Sequence, residues 1–201
     1  FNELSLSFEI SLLNEESEIF ELNENSLLVL LDQNDIKISR EKFINYLRSD
    51  LIERYNPIQT YFESLASWDG FDYIQQYCSY VKTDDDDLYY YHMKKWAVRA
   101  IKTILIPDEI NKHSIILANG AQNAGKSTYL KNLVPRCLNR YYGENLSLDK
   151  DGRVKLCKTF IMNLEELQGL GKQDTDKVKA MISLQTVNDR LPFDKKNSFL
   201  H

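Results

Sequence analysis

Cysteine and histidine are scarce in this chain, with three of each in 201 residues. Cys78, Cys137 and Cys157 are odd in number and widely spaced, and His92, His113 and His201 are equally scattered, so neither a disulfide framework nor a zinc knuckle is indicated. Buried, reduced thiols are the expectation. Long apolar runs are also absent. The longest, residues 27–31 and 101–106, are too short to cross a bilayer, and no signal-peptide pattern opens the chain, so a cytoplasmic location without membrane contact is expected. The chain lacks an excess of positive charge: 25 Lys and Arg against 30 Asp and Glu leave a formal −5. That balance excludes a protein that coats nucleic acid with its whole surface and leaves local contact open. No internal repeat is visible, and the one low-complexity stretch is Asp84-Asp85-Asp86-Asp87.

What is present is an ordinary globular composition, 43% hydrophobic and 27% charged, enough for one sizeable core or two small ones. Apolar and polar residues alternate in pieces from Phe1 to Leu31, which predicts short strands, with Asn23-Glu24-Asn25-Ser26 as a turn. Ser39 is placed to cap a helix running through Phe43, Ile44 and Leu47. Lys42 stands where a capping box would want an acid, while Glu41 suits the helix dipole. Asn56-Pro57 marks a break and the main domain boundary. Beyond it, residues 58–65 and 73–81 read as amphipathic helices joined through Trp68-Asp69-Gly70, with Trp68 as an apolar anchor. The aspartate run reads as the solvated start of a helix over residues 87–105. Its stripe of Tyr89, Tyr90, Met93, Trp96, Ala97, Ala100, Ile101 and Ile104 reads as core packing in preference to a base-stacking platform.

The strongest chemical signal is Gly120-Ala121-Gln122-Asn123-Ala124-Gly125-Lys126-Ser127, followed by Thr128. Glycines let backbone N–H groups turn inward around phosphates, Lys126 is spaced to reach the β- and γ-phosphates, and the Ser127 hydroxyl is spaced to meet Mg²⁺. The flanks agree. Residues 114–119 have the continuous apolar centre of a strand buried on both faces, and Leu130, Leu133 and Val134 recur at helical spacing until Pro135 stops them. Strand, loop and helix together predict a site for ATP or GTP with Mg²⁺. After a weakly patterned region, residues 139–155, a second buried-strand candidate over 159–164 ends in Glu165-Glu166. Carboxylates at the end of an apolar strand beside a phosphate loop suit metal-assisted hydrolysis, one acid holding hydrated Mg²⁺ and the other orienting the attacking water. Residue types alone do not rank the two glutamates.

This arrangement resembles the virulence-associated E family, superfamily 3 type helicase-related ATPases of phage and mobile-element replication modules. The resemblance runs along nearly the whole chain. Phe1-Asn2-Glu3 carries it weakly, whereas Asn56-Pro57, Tyr61, Leu65 and Trp68-Asp69-Gly70 resemble the family's lead-in. Lys94-Lys95-Trp96 resembles the helix before the first core strand. Residues 120–128, Glu165-Glu166-Leu167, Lys179 and Asp189-Arg190-Leu191-Pro192-Phe193 follow. The resemblance implies an incomplete P-loop core with an AAA+/RecA-like parallel sheet over 113–201, a helical lead-in over 56–112 and a small strand-and-helix region over 1–55. It further implies an ATP- and Mg²⁺-dependent ATPase that assembles as a homo-oligomeric ring and works on DNA, in single-stranded form, during replication.

Asn163 stands where some relatives have an acid, so the acidic site rests on Glu165 and Glu166. In superfamily 3 relatives a DNA-contacting hairpin follows the acidic strand, which on this sequence falls near Asp194-Lys195-Lys196-Asn197, making Lys195 and Lys196 the nucleic-acid candidates. A start at Phe1 and an end at His201 read as a fragment, short of the sensor strand and arginine finger of such ATPases, so poor turnover is expected of it alone. Two rival classes share the loop. A small-molecule kinase would need an arginine-rich lid, which residues 120–201 do not show, and a regulatory nucleotide-binding module would bind ATP without turnover.

Overall fold

Local sequence rules account for most of the helices. The computed structural model describes residues 1–11, 19–106, 109–118, 123–165, 172–183, 187–190 and 197–200. The chain divides into two units, Phe1–Thr60 and Tyr61–His201.

In the first unit, β1 (Glu9–Ser11) pairs antiparallel with β2 (Ile19–Glu21), Ile10 opposite Phe20. Next comes α1 (Glu24–Gln33), where strands were expected as far as Leu31. Asn23 is a helix cap there and not part of a turn: its side chain accepts from Ser26 N at 3.0 Å, which satisfies one of the free N–H groups of the first turn. The Leu-rich run that follows suits a helix at least as well as a strand. In α2 (Arg40–Leu47) Ser39 caps as expected, accepting from Lys42 N at 3.3 Å, and Phe43 and Leu47, four residues apart, turn one face inward. Asn2 is fully buried, its Oδ1 accepting from Leu4 N (2.9 Å) and Ser5 N (3.0 Å) and its Nδ2 donating to Glu9 at 3.0 Å. Tyr55 donates to the other oxygen of Glu9, and a backbone bridge joins Asn2 to Tyr55, so the two ends of this unit close on one buried polar knot.

Helix α3 (Pro57–Glu63) begins at the proline, where its missing N–H leaves no bond unmade, and Asn56 caps it through Ile58 N and Gln59 N. In the second unit, α4 (Tyr73–Cys78) packs on α5 (Asp86–Leu105). The aspartate run behaves as expected: Asp85 caps α5 through Leu88 N at 2.9 Å, and Asp86 and Asp87 occupy the first turn. Met93 is 2% exposed, with Tyr89, Tyr90, Trp96 and Ala97 half-buried along the same stripe, so this face is packed core. Burying one such side chain contributes about 1.5–3 kcal/mol.

Trp68 is not an anchor. It is 76% exposed, because its turn closes on itself: the Trp68 indole N–H donates to Phe71 O at 2.8 Å, Asp69 accepts from Phe71 N at 2.9 Å, and Gly70 takes φ 89°. With its one polar group satisfied inside the turn, the indole lies outside the core.

Downstream are α6 (Lys126–Lys131), a 3-10 turn (Arg136–Tyr141), β3 (Tyr142–Glu144), α7 (Lys150–Cys157) and β4 (Ile161–Asn163). The second buried-strand expectation is met by β4, whose Ile161 and Asn163 are buried and whose partner is β3, in parallel, Gly143 opposite Met162. The first is not met over the described residues 114–118. They form no strand and Ile116 is 74% exposed. An apolar run becomes a doubly buried strand only when neighbouring strands supply its ladder bonds, and among the described residues none does. Helix α8 (Lys172–Ile182) and an antiparallel pair, β5 (Val187–Arg190) with β6 (Asn197–Leu200), complete the unit. Among the described residues the protein is thus mixed α/β, built on two-stranded pairings of which one is parallel. Cys78 is buried as expected, Cys157 is half-buried, and Cys137, on the 3-10 turn, is exposed; no disulfide joins them.

Candidate functional site

The described part of the glycine loop is residues 123–128; Asn119, Gly120, Ala121 and Gln122 lie outside the described residues. Gly125 takes φ 78° and immediately precedes α6, a left-handed conformation that a residue with a Cβ adopts only under strain. Asn123, at φ 58°, is one of the residue types that tolerates it. Tyr129 N donating to Gly125 O at 2.9 Å starts the helix, with Lys126, Ser127 and Thr128 in its first turn.

Ser127 and Glu165 are thirty-eight residues apart in sequence and meet here: the Ser127 hydroxyl donates to Glu165 Oε1. The same oxygen accepts from the Asn163 side-chain amide at 3.2 Å. Asn163 is buried at the end of β4 while Glu165 is exposed just beyond it, so the buried amide points the carboxylate toward the loop. Asn163, which at the sequence level counts only as a missing acid, is the residue that orients the acid present. Tyr142 lies within residues 139–155, where the sequence carries little pattern. Its hydroxyl is buried beside Glu144, Asn163 and Glu165, and burial raises its pKa. Strand pairing is the only signal that would have found it, since Tyr142 and Glu144 share a face with Ile161 and Asn163.

The donor set fits a hard divalent ion. A serine hydroxyl and a carboxylate are both oxygen ligands, and Mg²⁺ bound with substrate phosphates needs only one or two protein oxygens. Among the described residues no group of three or more His, Cys, Asp or Glu side chains could hold a metal unaided. A cleft of about 400 Å³ bordered by Arg140, Tyr142, Lys155 and Lys158 opens beside α7, and none of the loop residues lines it.

Glu166 lies outside the described residues, as do Lys195 and Lys196; the strands on either side of these lysines, β5 and β6, pair as a hairpin with Arg190 opposite Asn197. Lys179 forms an exposed pair with Asp176 at 3.9 Å, of a kind that contributes little.

Loop helix and lead-in helices are joined by tyrosines that sequence reading assigned only to packing or did not single out. The Tyr77 hydroxyl donates to the backbone carbonyl of Tyr129, the Tyr89 hydroxyl donates to the Tyr129 hydroxyl at 3.0 Å, and Tyr129 donates to Tyr77 O at 3.3 Å. The rings of Tyr77 and Tyr129 lie 4.5 Å apart between centroids. Burial pushes Tyr77 up to about 12 and raises Tyr89 and Tyr129 as well, so all three remain donors at neutral pH. At the start of α4, Lys94 donates to Asp72 at 2.6 Å and Tyr90 donates to the same oxygen, which holds the Asp72 carboxyl well below the usual carboxylate range.

No helix among the described residues is long and apolar enough to cross a membrane. Comparison with curated proteins gives no match. A family model described as the virulence-associated protein E-like domain matches residues 62–200, from the end of α3 through β6, so that Asn56-Pro57 and Tyr61 fall just outside it. That span is more than two thirds of the chain, and the chain belongs to the virulence-associated protein E-like family.

Proposed function

We propose that this chain is the nucleotide-binding core of a DNA-dependent ATPase or helicase subunit serving replication of a phage or mobile element. The observation that carries the reading is the meeting of Ser127 with Glu165 beside the left-handed turn at Gly125. A hydroxyl at the end of a glycine loop and a carboxylate at the end of a parallel strand are the two groups that a P-loop site directs at a nucleotide-bound metal. In this reading Lys126 supplies positive charge to the β- and γ-phosphates, and Ser127 and Glu165 hold Mg²⁺, with Asn163 fixing the carboxylate. Bound Mg²⁺ supplies charge neutralisation at the phosphates. Glu166 takes the remaining role of orienting the attacking water. A homo-oligomeric ring and single-stranded DNA as partner belong to the same proposal, with Lys195 and Lys196 in the β5–β6 connection as the phosphate contacts.

Calorimetry with ATP and Mg²⁺ tests it. Lys126→Ala removes a charge-assisted contact worth about 1.5–3 kcal/mol, a ten- to hundredfold rise in Kd. Equal affinities in parent and variant refute the assignment. DNA contact is tested separately: Lys195→Ala with Lys196→Ala lowers DNA affinity for all sequences and flattens its salt dependence, since phosphate contacts carry no base readout. An unchanged salt slope refutes that part alone.

A further inference from the structure

Helix α6 has six residues, far below the length at which a helix holds itself together in water, so its position is set by whatever grips it. At its N-terminal end the grip is Ser127 on Glu165. At the other end it is the tyrosine cluster, and the bonding there is reciprocal. The last carbonyls of a helix have no intrahelical partner. Leu133 N bonds to Leu130 O, so the Tyr129 carbonyl is among those left over, and it is the Tyr77 hydroxyl that takes it. In return the Tyr129 hydroxyl donates to Tyr77 O, in the last turn of α4, while Tyr89 of α5 donates to that hydroxyl. Each short helix thus caps the other through a tyrosine, and α5 braces the pair.

We propose that Tyr77, Tyr89 and Tyr129 are positioning residues for the nucleotide site: they clasp α6 to the α4–α5 pair and thereby hold Ser127 against Glu165. Ser127 lies two residues before Tyr129 on the same short helix, so a shift at the clasp is carried to the hydroxyl. The lead-in helices therefore act on the metal side of the site, and a partner that moves α4 against α5 alters Mg²⁺-dependent binding without touching the loop. This inference rests on the nucleotide reading given above.

The test uses Tyr77→Phe and Tyr129→Phe, which keep both rings and delete single hydroxyls, with Tyr80→Phe at a 71% exposed site as control. Two measurements are made on each chain: amide hydrogen exchange over residues 126–131, with β3 and β4 as internal reference, and ATP affinity with Mg²⁺ and with EDTA. In both clasp variants α6 loses protection while β3 and β4 keep theirs, and the ratio of the two affinities falls about fivefold, the equivalent of one neutral hydrogen bond of ~1 kcal/mol. Affinity in EDTA stays near the parent value, which a general loss of stability would not allow. Unchanged protection of α6 overturns the clasp. Lost protection with an unchanged Mg²⁺ ratio reduces these tyrosines to packing and overturns the positioning role while sparing the nucleotide reading. A parent chain that binds no ATP in either condition overturns both.

Discussion

Gly152→Ala reverses the sign that helix propensity alone assigns. Gly152 lies in the first turn of α7, and replacing a helical glycine by alanine ordinarily stabilises by about 1 kcal/mol. Here an alanine Cβ would stand 1.8 Å from the backbone oxygen of Ser147 and 2.7 Å from its carbon, where real Cβ contacts essentially never fall below 3.0 Å. The Ser147 peptide must therefore retreat by at least about 1 Å. It has little freedom to do so, because Asp149 caps α7 through Gly152 N at 3.0 Å and also accepts from the Ser147 hydroxyl at 2.8 Å. Moving Ser147 breaks its hydroxyl bond to Asp149 and, by drawing on that carboxylate, disturbs the cap to Gly152 N as well. Losing the cap costs about 1 kcal/mol, the hydroxyl bond about as much again, and local overpacking typically 1–3 kcal/mol. Against the propensity gain, a net loss of about 2–4 kcal/mol remains. Urea unfolding followed by far-UV circular dichroism measures it, with Asp149→Ala as a reference that loses the cap and creates no clash. The expected order of stability is parent, Asp149→Ala, Gly152→Ala. A Gly152→Ala chain as stable as the parent, or more stable, refutes the close approach of Ser147 to this helix.

Asn2→Ala removes the acceptor of two backbone N–H groups and a donor to Glu9 in a fully buried position, and is expected to destabilise the first unit by about 2–4 kcal/mol; denaturant unfolding within 0.5 kcal/mol of the parent would contradict this. The Asp72 carboxyl has its folded pKa lowered by Lys94 and Tyr90, so its contribution is complete above an unfolded value of about 3.9 and disappears as the pH falls through the folded one. Asp72→Asn should therefore flatten the loss of thermal stability between about pH 5 and pH 2, and parallel curves for parent and variant would remove the assigned cause. Glu165→Gln keeps the size of the side chain and loses its charge; ATP affinity in EDTA is expected to hold while the gain from Mg²⁺ falls about tenfold, and an undiminished gain would place the metal elsewhere.

Features with a cause within about four residues and a single local answer are legible in the chain alone. The Ser39 cap, the aspartates that open α5, the start of α3 at Pro57 and the glycine before Lys126 are all of this kind, because a side chain meeting its own backbone needs no partner from elsewhere. The buried stripe of α5 and the burial of β4 were legible for a related reason, since periodicity reports which face turns inward. Tertiary structure decided everything that depends on a second segment. Residues 114–118 have the composition of a buried strand and remain unpaired among the described residues, because ladder bonds come from neighbours and not from the run itself. Asn23 and Trp68 carried ambiguous local signals, resolved by a helix that needed a cap and by a turn that satisfied its own indole. The loop motif and the glutamates were each visible in the sequence. That Ser127 meets Glu165, that the Asn163 amide bonds the same oxygen and that Tyr77 takes the Tyr129 carbonyl depend on side-chain direction and strand register rather than on spacing along the chain.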